Sequence, residues 1–306
     1  MASEGGHRTD RHSPGSRIPA TLKSTHPETS ARGRKGNQPE SLAGPPRGRS
    51  DIPEVVQLVA GDDSIRCVWE NEVGGLTFEL RHRVRRRFMK WAPAESGIDL
   101  SDEVARLAWA SRFATVPRCI DSGQDQTGSW MLTEPVLGDS AVSERWKRDP
   151  RAAVIAIGEG LRALHDALPV DECPFSWSAA DRLSDAQKRA SLGRIDPATW
   201  HPEHRGLTVD RALEELGVVP PTDRVVVCHG DACAPNTMLG RNGHWSGHVD
   251  LGAMGVADRW ADLAVATWST NWNYGPGWER PLLMAYGIDP DPVRIRYYRL
   301  LWDLGP

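Results

Sequence analysis

From Leu76 to Leu80, after an apolar-rich run from Cys67 and the pair Gly74–Gly75, apolar and polar positions alternate with the two-residue period of a strand. Leu76, Phe78 and Leu80 fall on one side, Thr77 and Glu79 on the other. The stretch predicts strand, glycine turn, strand. A polar turn at Arg81–His82–Arg83 leads into another strand, Arg85 to Ala92, with Arg85–Arg86–Arg87 as its solvated end. The period then lengthens. Ser101 stands where a helix N-cap belongs, and Val104, Leu107 and Ala108 mark one face of a helix over Asp102–Arg112. Val116–Pro117 and Trp130–Thr133 predict further strands, and Pro135–Asp139 a linker. Ile155, Ile157, Leu161 and Leu164 predict a helix from Ala152 onward. Strands first and helices later imply an α+β chain of two lobes, 51–134 and 135–306. Residues 1–50, rich in Gly, Pro, Ser and Arg, carry no apolar period and are expected to form a disordered basic tail.

A chain of 306 residues has length enough for one large domain or two lobes around a buried core. Its charge is uneven. The first fifty residues hold nine basic and four acidic side chains, leaving 28 basic against 37 acidic in 51–306, a balance of −9. An acidic body argues against nucleic acid as the main partner and favours a cationic ligand. No run approaches the roughly 18–20 apolar residues of a membrane helix. The first residues lack an apolar signal core. Cys67, Cys119, Cys173, Cys228 and Cys233 show no CxxC spacing and read as reduced thiols, so a cytoplasmic address is expected.

The densest chemistry lies in Val225–Val226–Val227–Cys228–His229–Gly230–Asp231, with Asn236 five residues on, and in Val249–Asp250–Leu251–Gly252 after a glycine-containing hairpin. Alone, His229–Gly230–Asp231 fits a turn with a helix cap, and Asp250–Leu251–Gly252 is a common tripeptide. In this order, each after a strand, they bring two carboxylates and an amide oxygen to one place. That set suits phosphoryl transfer: Asp231 takes the proton of an attacking hydroxyl, while Asn236 and Asp250 hold Mg²⁺ on nucleotide phosphates. In the first lobe Lys90 lies in an apolar strand, and Glu103, thirteen residues on, is placed to pair with it.

These motifs, with Gly255–Val256–Ala257–Asp258–Arg259–Trp260–Ala261–Asp262–Leu263–Ala264, resemble the aminoglycoside phosphotransferase family over roughly residues 60–306. The resemblance implies a protein-kinase-like fold and ATP as phosphoryl donor, with a small antiparallel-sheet lobe and a mostly helical second lobe. Asp231 would be the base, Asn236 and Asp250 the Mg²⁺ ligands, and Asp262 the brace of the catalytic loop, which His229 and Gly230 shape. Lys90 and Glu103 would serve the phosphates, Gly75 and Thr77 would cover them, and the Glu134 carbonyl and Val136 amide would bond adenine, since Pro135 has no N–H.

An aminoglycoside, cationic and small, is the implied acceptor, with phosphate going to its 3′-hydroxyl and a monomer or weak dimer doing the work. Asp181, Asp185, Asp303 and the terminal carboxylate of Pro306 are the acids expected to bind it. The chain departs from the family at Ala253, where Arg is usual, at Trp268–Ser269 in place of Arg–Asp, and at Trp272 in place of an acid. Trp268 and Trp272, four apart, are expected to form an aromatic wall for a sugar ring. Kinases of streptomycin, a macrolide or a metabolic alcohol stay open as alternatives, as does a non-catalytic nucleotide-binding module.

Overall fold

The computed structural model describes residues 43–46, 48, 50–71 and 73–305. The tail expectation therefore lies largely outside the described residues. Within its described part, Gly44 exchanges two backbone hydrogen bonds with Glu70 (2.9 and 2.8 Å).

A short helix, α1 (Glu54–Ala60), precedes β1 (Ser64–Glu70), β2 (Leu76–His82) and β3 (Arg85–Pro93). Helix α2 (Ser101–Ala110), β4 (Cys119–Gln124) and β5 (Gly128–Thr133) complete this half. The strands form an antiparallel sheet in the order β1-β2-β3-β5-β4. Its two faces are sorted by the alternation read in the sequence. Phe78, Leu80, Met89 and Leu132 pack under Val56 and Ala60 of α1. Since neighbouring side chains point oppositely, Lys90 and Met131 turn to the other face, where Met131 joins Leu107 and a core shared with Leu164, Val227 and Leu251. That shared core seats the sheet on the second half.

Beyond β5 come β6 (Asp139–Ser140), α3 (Glu144–Lys147), α4 (Pro150–Ala167), α5 (Ala179–Ser191) and α6 (Val209–Leu216). There follow β7 (Val225–Cys228), β8 (Thr237–Leu239), β9 (Trp245–His248), β10 (Gly255–Asp258), α7 (Trp260–Tyr274), α8 (Glu279–Tyr286) and α9 (Pro292–Asp303). Two small sheets, β10-β7 and β6-β8-β9, lie against this helical body. The main core of the body joins Ile157 and Leu161 of α4 to Leu263 of α7, Leu282 and Tyr286 of α8 and Leu301 of α9.

Two local expectations are corrected. Ser101 is the first helical residue of α2, not its cap: Leu100 before it is already helical, and the Ser101 N–H donates to Asp99 Oδ1 (2.9 Å). An Asx-type turn two residues upstream does the work assigned to Ser101. The buried face of α2 runs through Glu103, Leu107 and Ala110, with Ala108 exposed. Val116–Pro117 is buried but is not a strand; pairing begins at Cys119, past the proline that has no N–H for a ladder. Ser101→Ala should change stability by less than about 0.5 kcal/mol, whereas Asp99→Ala, which strips the helix start of its acceptor, should lower Tm measurably; thermal melts of the two variants check the assignment.

Candidate active site

The segment after β7 is fastened from below by Asp262, in the first turn of α7. This carboxylate is fully buried. Its Oδ2 accepts the His229 N–H (2.6 Å) and a bond from His165 Nε2 (2.9 Å), and its Oδ1 accepts the Gly230 N–H (2.9 Å). Burial alone would raise its pKa, but His165 and these donors hold it below the ordinary carboxylate value. Gly230 sits at φ +86°, and a Cβ there would lie 2.1 Å from the Ala253 carbonyl oxygen, so only glycine fits. The His229 ring spans the two functional segments: Nε2 donates to the Val249 carbonyl (3.0 Å) and Nδ1 accepts the Asp231 N–H (3.3 Å).

Asp231 is thereby aimed beside Asp250. Asn236 donates from Nδ2 to both the Asp231 carbonyl and its Oδ2 (3.0 Å each). The buried Oδ1 accepts no N–H or O–H bond from the described residues, with only the weak Cys233 thiol beside the carboxylate. Burial, and then the charge of Asp250, push the Asp231 carboxyl above its usual pKa. Asp250 itself has φ +67°, an unusual backbone for a non-glycine residue, and bonds Lys90 Nζ through Oδ1 (2.7 Å). Glu103 grips the same ammonium with both oxygens (2.8 Å each). Burial would lower the Lys90 pKa; Asp250 and Glu103 more than reverse this and hold it above the ordinary lysine value. Thr77 lies directly opposite Lys90 in the sheet, and Gly75, at the β1–β2 turn, donates its N–H to Asn71 Oδ1 (2.6 Å).

The donor set fits a magnesium ion. Asn236 spends its NH₂ on Asp231, so its other end is an amide oxygen. Asp250 has a second carboxylate oxygen besides the one on Lys90. One amide and one carboxylate oxygen, both hard, match an ion that completes its shell with phosphates and water. His165, Cys228 and Asp262 also have the composition of metal ligands, their donor atoms lying within 4.8 Å of one another. Both nitrogens of His165 and both oxygens of Asp262 are already bonded within the protein, however.

Comparison with known proteins agrees with this geometry. Residues 71–298 match the model of the phosphotransferase enzyme family. An aminoglycoside 3′-phosphotransferase of Streptomyces fradiae is 37% identical over 220 residues, covering 69% of this chain and 81% of that one. The chain belongs to the aminoglycoside phosphotransferase family. A streptomycin 3″-kinase of Streptomyces griseus is 32% identical over 69% of this chain and 82% of its own. The solved aminoglycoside phosphotransferase APH(3″)-Id of Streptomyces rimosus superposes with a TM-score of 0.69 at 28% identity, over 81% of this chain and 95% of that one. The same enzyme has been solved with ADP and streptomycin. The two-lobed α+β fold is thus that of a kinase-like phosphotransferase.

Within this phosphotransferase the other expected residues are placed less uniformly. Glu134, just beyond β5, gives its N–H to the Arg118 carbonyl (2.9 Å) and pairs its side chain with Arg118, while Val136 is buried. Asp181 turns back to Ser176 and Ser178 at the start of α5, and exposed Asp185 pairs with Lys188 (3.0 Å). Asp303 faces inward, accepting the His201 N–H (3.2 Å) and a bond from His204 Nδ1 (2.6 Å). Trp268 is 2% exposed, with the His201 ring at 4.2 Å, the Trp272 ring at 5.5 Å and the Arg299 guanidinium over its face. The aromatic pair exists, but its Trp268 half is packed inside. Pro306 lies outside the described residues. The motifs give His165 no role, although a histidine four residues after Leu161 on the buried face of α4 was a visible signal; Ser269, expected only as a departure from the family, accepts the Ala234 N–H through Oγ (2.8 Å) in the loop between Asp231 and Asn236.

A raised carboxyl pKa means that the folded state binds this proton more tightly than the unfolded chain, so ionised Asp231 costs stability above its folded pKa. Asp231→Asn should abolish turnover and yet raise Tm at neutral pH, by roughly 2 °C or more for about 1 kcal/mol relieved. A variant that is inactive but melts below the wild type would contradict this; in the wild type, kcat should fall on the acid side at a pH above the ordinary aspartate range.

Proposed function

We propose that this phosphotransferase moves the γ-phosphoryl group of ATP to a hydroxyl of an aminoglycoside, the 3′-hydroxyl, and so confers resistance to the drug. The observation that carries the reading is the chain Glu103–Lys90–Asp250, which fixes a lysine and a carboxylate next to Asp231. Among the described residues no N–H or O–H donates to Asp231 Oδ1, and its pKa is raised, the condition of a group that accepts a hydroxyl proton as attack proceeds. Lys90, on the inner face of the sheet, holds phosphate oxygens, and Thr77 and Gly75 lie over them. Asn236 and Asp250 would hold Mg²⁺, which supplies neutralisation of charge on the transferring group. Glu134 and Val136, on either side of Pro135, supply the backbone edge for adenine.

The aminoglycoside assignment is supported by the names of the relatives and by the −9 balance of residues 51–306. Residues 51–134 would carry the nucleotide and 135–306 the acceptor. We place the protein in the cytoplasm, as a monomer or weak dimer, beside its ATP; its five cysteines are all unpaired, and no helix among the described residues is long and apolar enough to cross a membrane. Streptomycin is the second acceptor to consider. The residues Trp268, Ser269 and Trp272 make an α7 without acids on that stretch, and Asp303 is held by two histidine residues.

A panel of neomycin, kanamycin and streptomycin with labelled ATP, and NMR of the product to locate the phosphate, tests the function. Transfer to the 3′-hydroxyl of neomycin or kanamycin is expected; transfer to streptomycin alone would move the enzyme to the second reading, and no transfer to any would end both. Asp303→Ala separates packing from binding. It leaves the His201 N–H and His204 without their acceptor, so Tm should fall by an amount equivalent to about 1–3 kcal/mol. KM for the drug should rise only if Asp303 also meets an ammonium group.

A further inference from the structure

Behind Asp262 the hydrogen-bond chain continues by one link that no part of the reaction uses. His165, on α4, bonds Asp262 Oδ2 through Nε2 (2.9 Å) and the Tyr286 hydroxyl, at the end of α8, through Nδ1 (2.8 Å). All three side chains are buried, Tyr286 and Asp262 almost completely. The imidazole and phenol rings pack edge to face with centroids 5.6 Å apart.

With a neutral imidazole, one arrangement of hydrogens satisfies every link of this chain. Asp262 is ionised, its carboxyl held below the ordinary value despite burial, and a carboxylate only accepts. His165 Nε2 therefore carries hydrogen. Burial pushes the Tyr286 phenol up to about 12, so it keeps an O–H to give to the Nδ1 lone pair of the Nε2–H imidazole. The Arg259 guanidinium also bears on the Tyr286 hydroxyl and favours donation in that direction. Every link thus points its hydrogen at Asp262, whose remaining bonds hold the His229 and Gly230 amides just ahead of Asp231.

We propose that Tyr286 is a positioning residue for the catalytic loop. Its hydroxyl satisfies Nδ1 of His165 and fixes the ring's orientation, so that Nε2–H gives Asp262 its third donor and sets the backbone that aims Asp231. The role rests on Asp231 being the base of the proposed reaction, but the tautomer and orientation of His165 do not. Tyr286 touches neither phosphate nor acceptor, so its removal alters the rate of the chemical step and not substrate affinity.

The test is Tyr286→Phe, which keeps the ring and deletes only the hydroxyl, beside His165→Gln and the double variant. Tyr286→Phe should lower kcat roughly tenfold or more with KM for ATP and for the acceptor within about twofold of wild type. In the His165→Gln background the same change should have no further effect on kcat, since the link it breaks is already gone. ¹⁵N NMR of the unliganded protein should show His165 as the Nε2–H tautomer with a hydrogen-bonded Nδ1 in the wild type, and Nδ1 shifted to the value of an imidazole nitrogen without a donor in Tyr286→Phe. Unchanged kcat in Tyr286→Phe with a lowered Tm would reduce the residue to packing and overturn the proposal, as would equal effects in both backgrounds. If the wild type turned over no aminoglycoside, the functional reading would fail while the NMR comparison still decided whether Tyr286 sets His165: an Nδ1–H tautomer in the wild type would refute it.

Discussion

Three carboxylates and one ammonium group share the floor between the sheet and the helical body, and the arrangement is stable only because Lys90 stands among them. Glu103 and Asp250 come from different halves of the chain, and both bond Lys90 Nζ at 2.7–2.8 Å. Without that cation, Glu103 and Asp250 would be buried like charges, which proteins relieve by taking up protons. With it, Asp250 stays below the ordinary carboxylate value and keeps its charge, while Asp231, one step further from the lysine, is left with a raised pKa. The same lysine thus ties α2 to the sheet, holds Asp250 in its left-handed backbone, and sets two neighbouring aspartates apart, one lowered and one raised.

Aiming Asp231 is a separate problem, solved by backbone. A loop that must present a carboxylate without hydrogen-bonding it to its own helix start needs its amides satisfied elsewhere. Asp262 takes two of them from below, and His229 takes a third while reaching across to Val249. Gly230 makes the close approach to Ala253 possible. These bonds are buried, and so little screened by water. Through His165 and Tyr286 the same network runs on to α4 and α8, so three helices stand behind Asp231.

How much of this was legible depended on whether a feature is local. The β2–β3 alternation, the β7 strand ahead of Asp231 and the hairpin returning Asp250 are short-range patterns with fixed periods, and the structure has them where the sequence placed them. The Lys90–Glu103 pair could be read because both residues sit on regular elements a short loop apart. The start of α2 was misread because Ser101 and Asp99 are both good capping residues and only geometry chooses between them. The acceptor side was the least legible. Asp181, Asp185 and Asp303 are acids in suitable positions along the chain, but whether each faces a ligand or a neighbour depends on tertiary contacts with Ser176, Lys188 and His204 that no period encodes.

Those contacts bear on what an acceptor would meet. A carboxylate already accepting from a buried histidine and a backbone N–H, as Asp303 does, can bind an ammonium group only by sharing or giving up those bonds. Trp268 is held between His201 and Arg299, and Arg299 in turn pairs with Glu279 (2.9 Å), so the positive charge of α9 offsets one more acid on this side. Recognition of a polyamine here therefore draws on fewer uncommitted carboxylates than the net charge of the chain suggests. An acidic balance acts on a cationic ligand over distance, whereas discrimination among such ligands depends on the polar groups left free for short-range contact. The lysine-centred cluster and the Trp268–Trp272 stretch of α7 are thus held by separate sets of contacts, the first by buried charges around Lys90, the second by ring packing with His201 and Arg299.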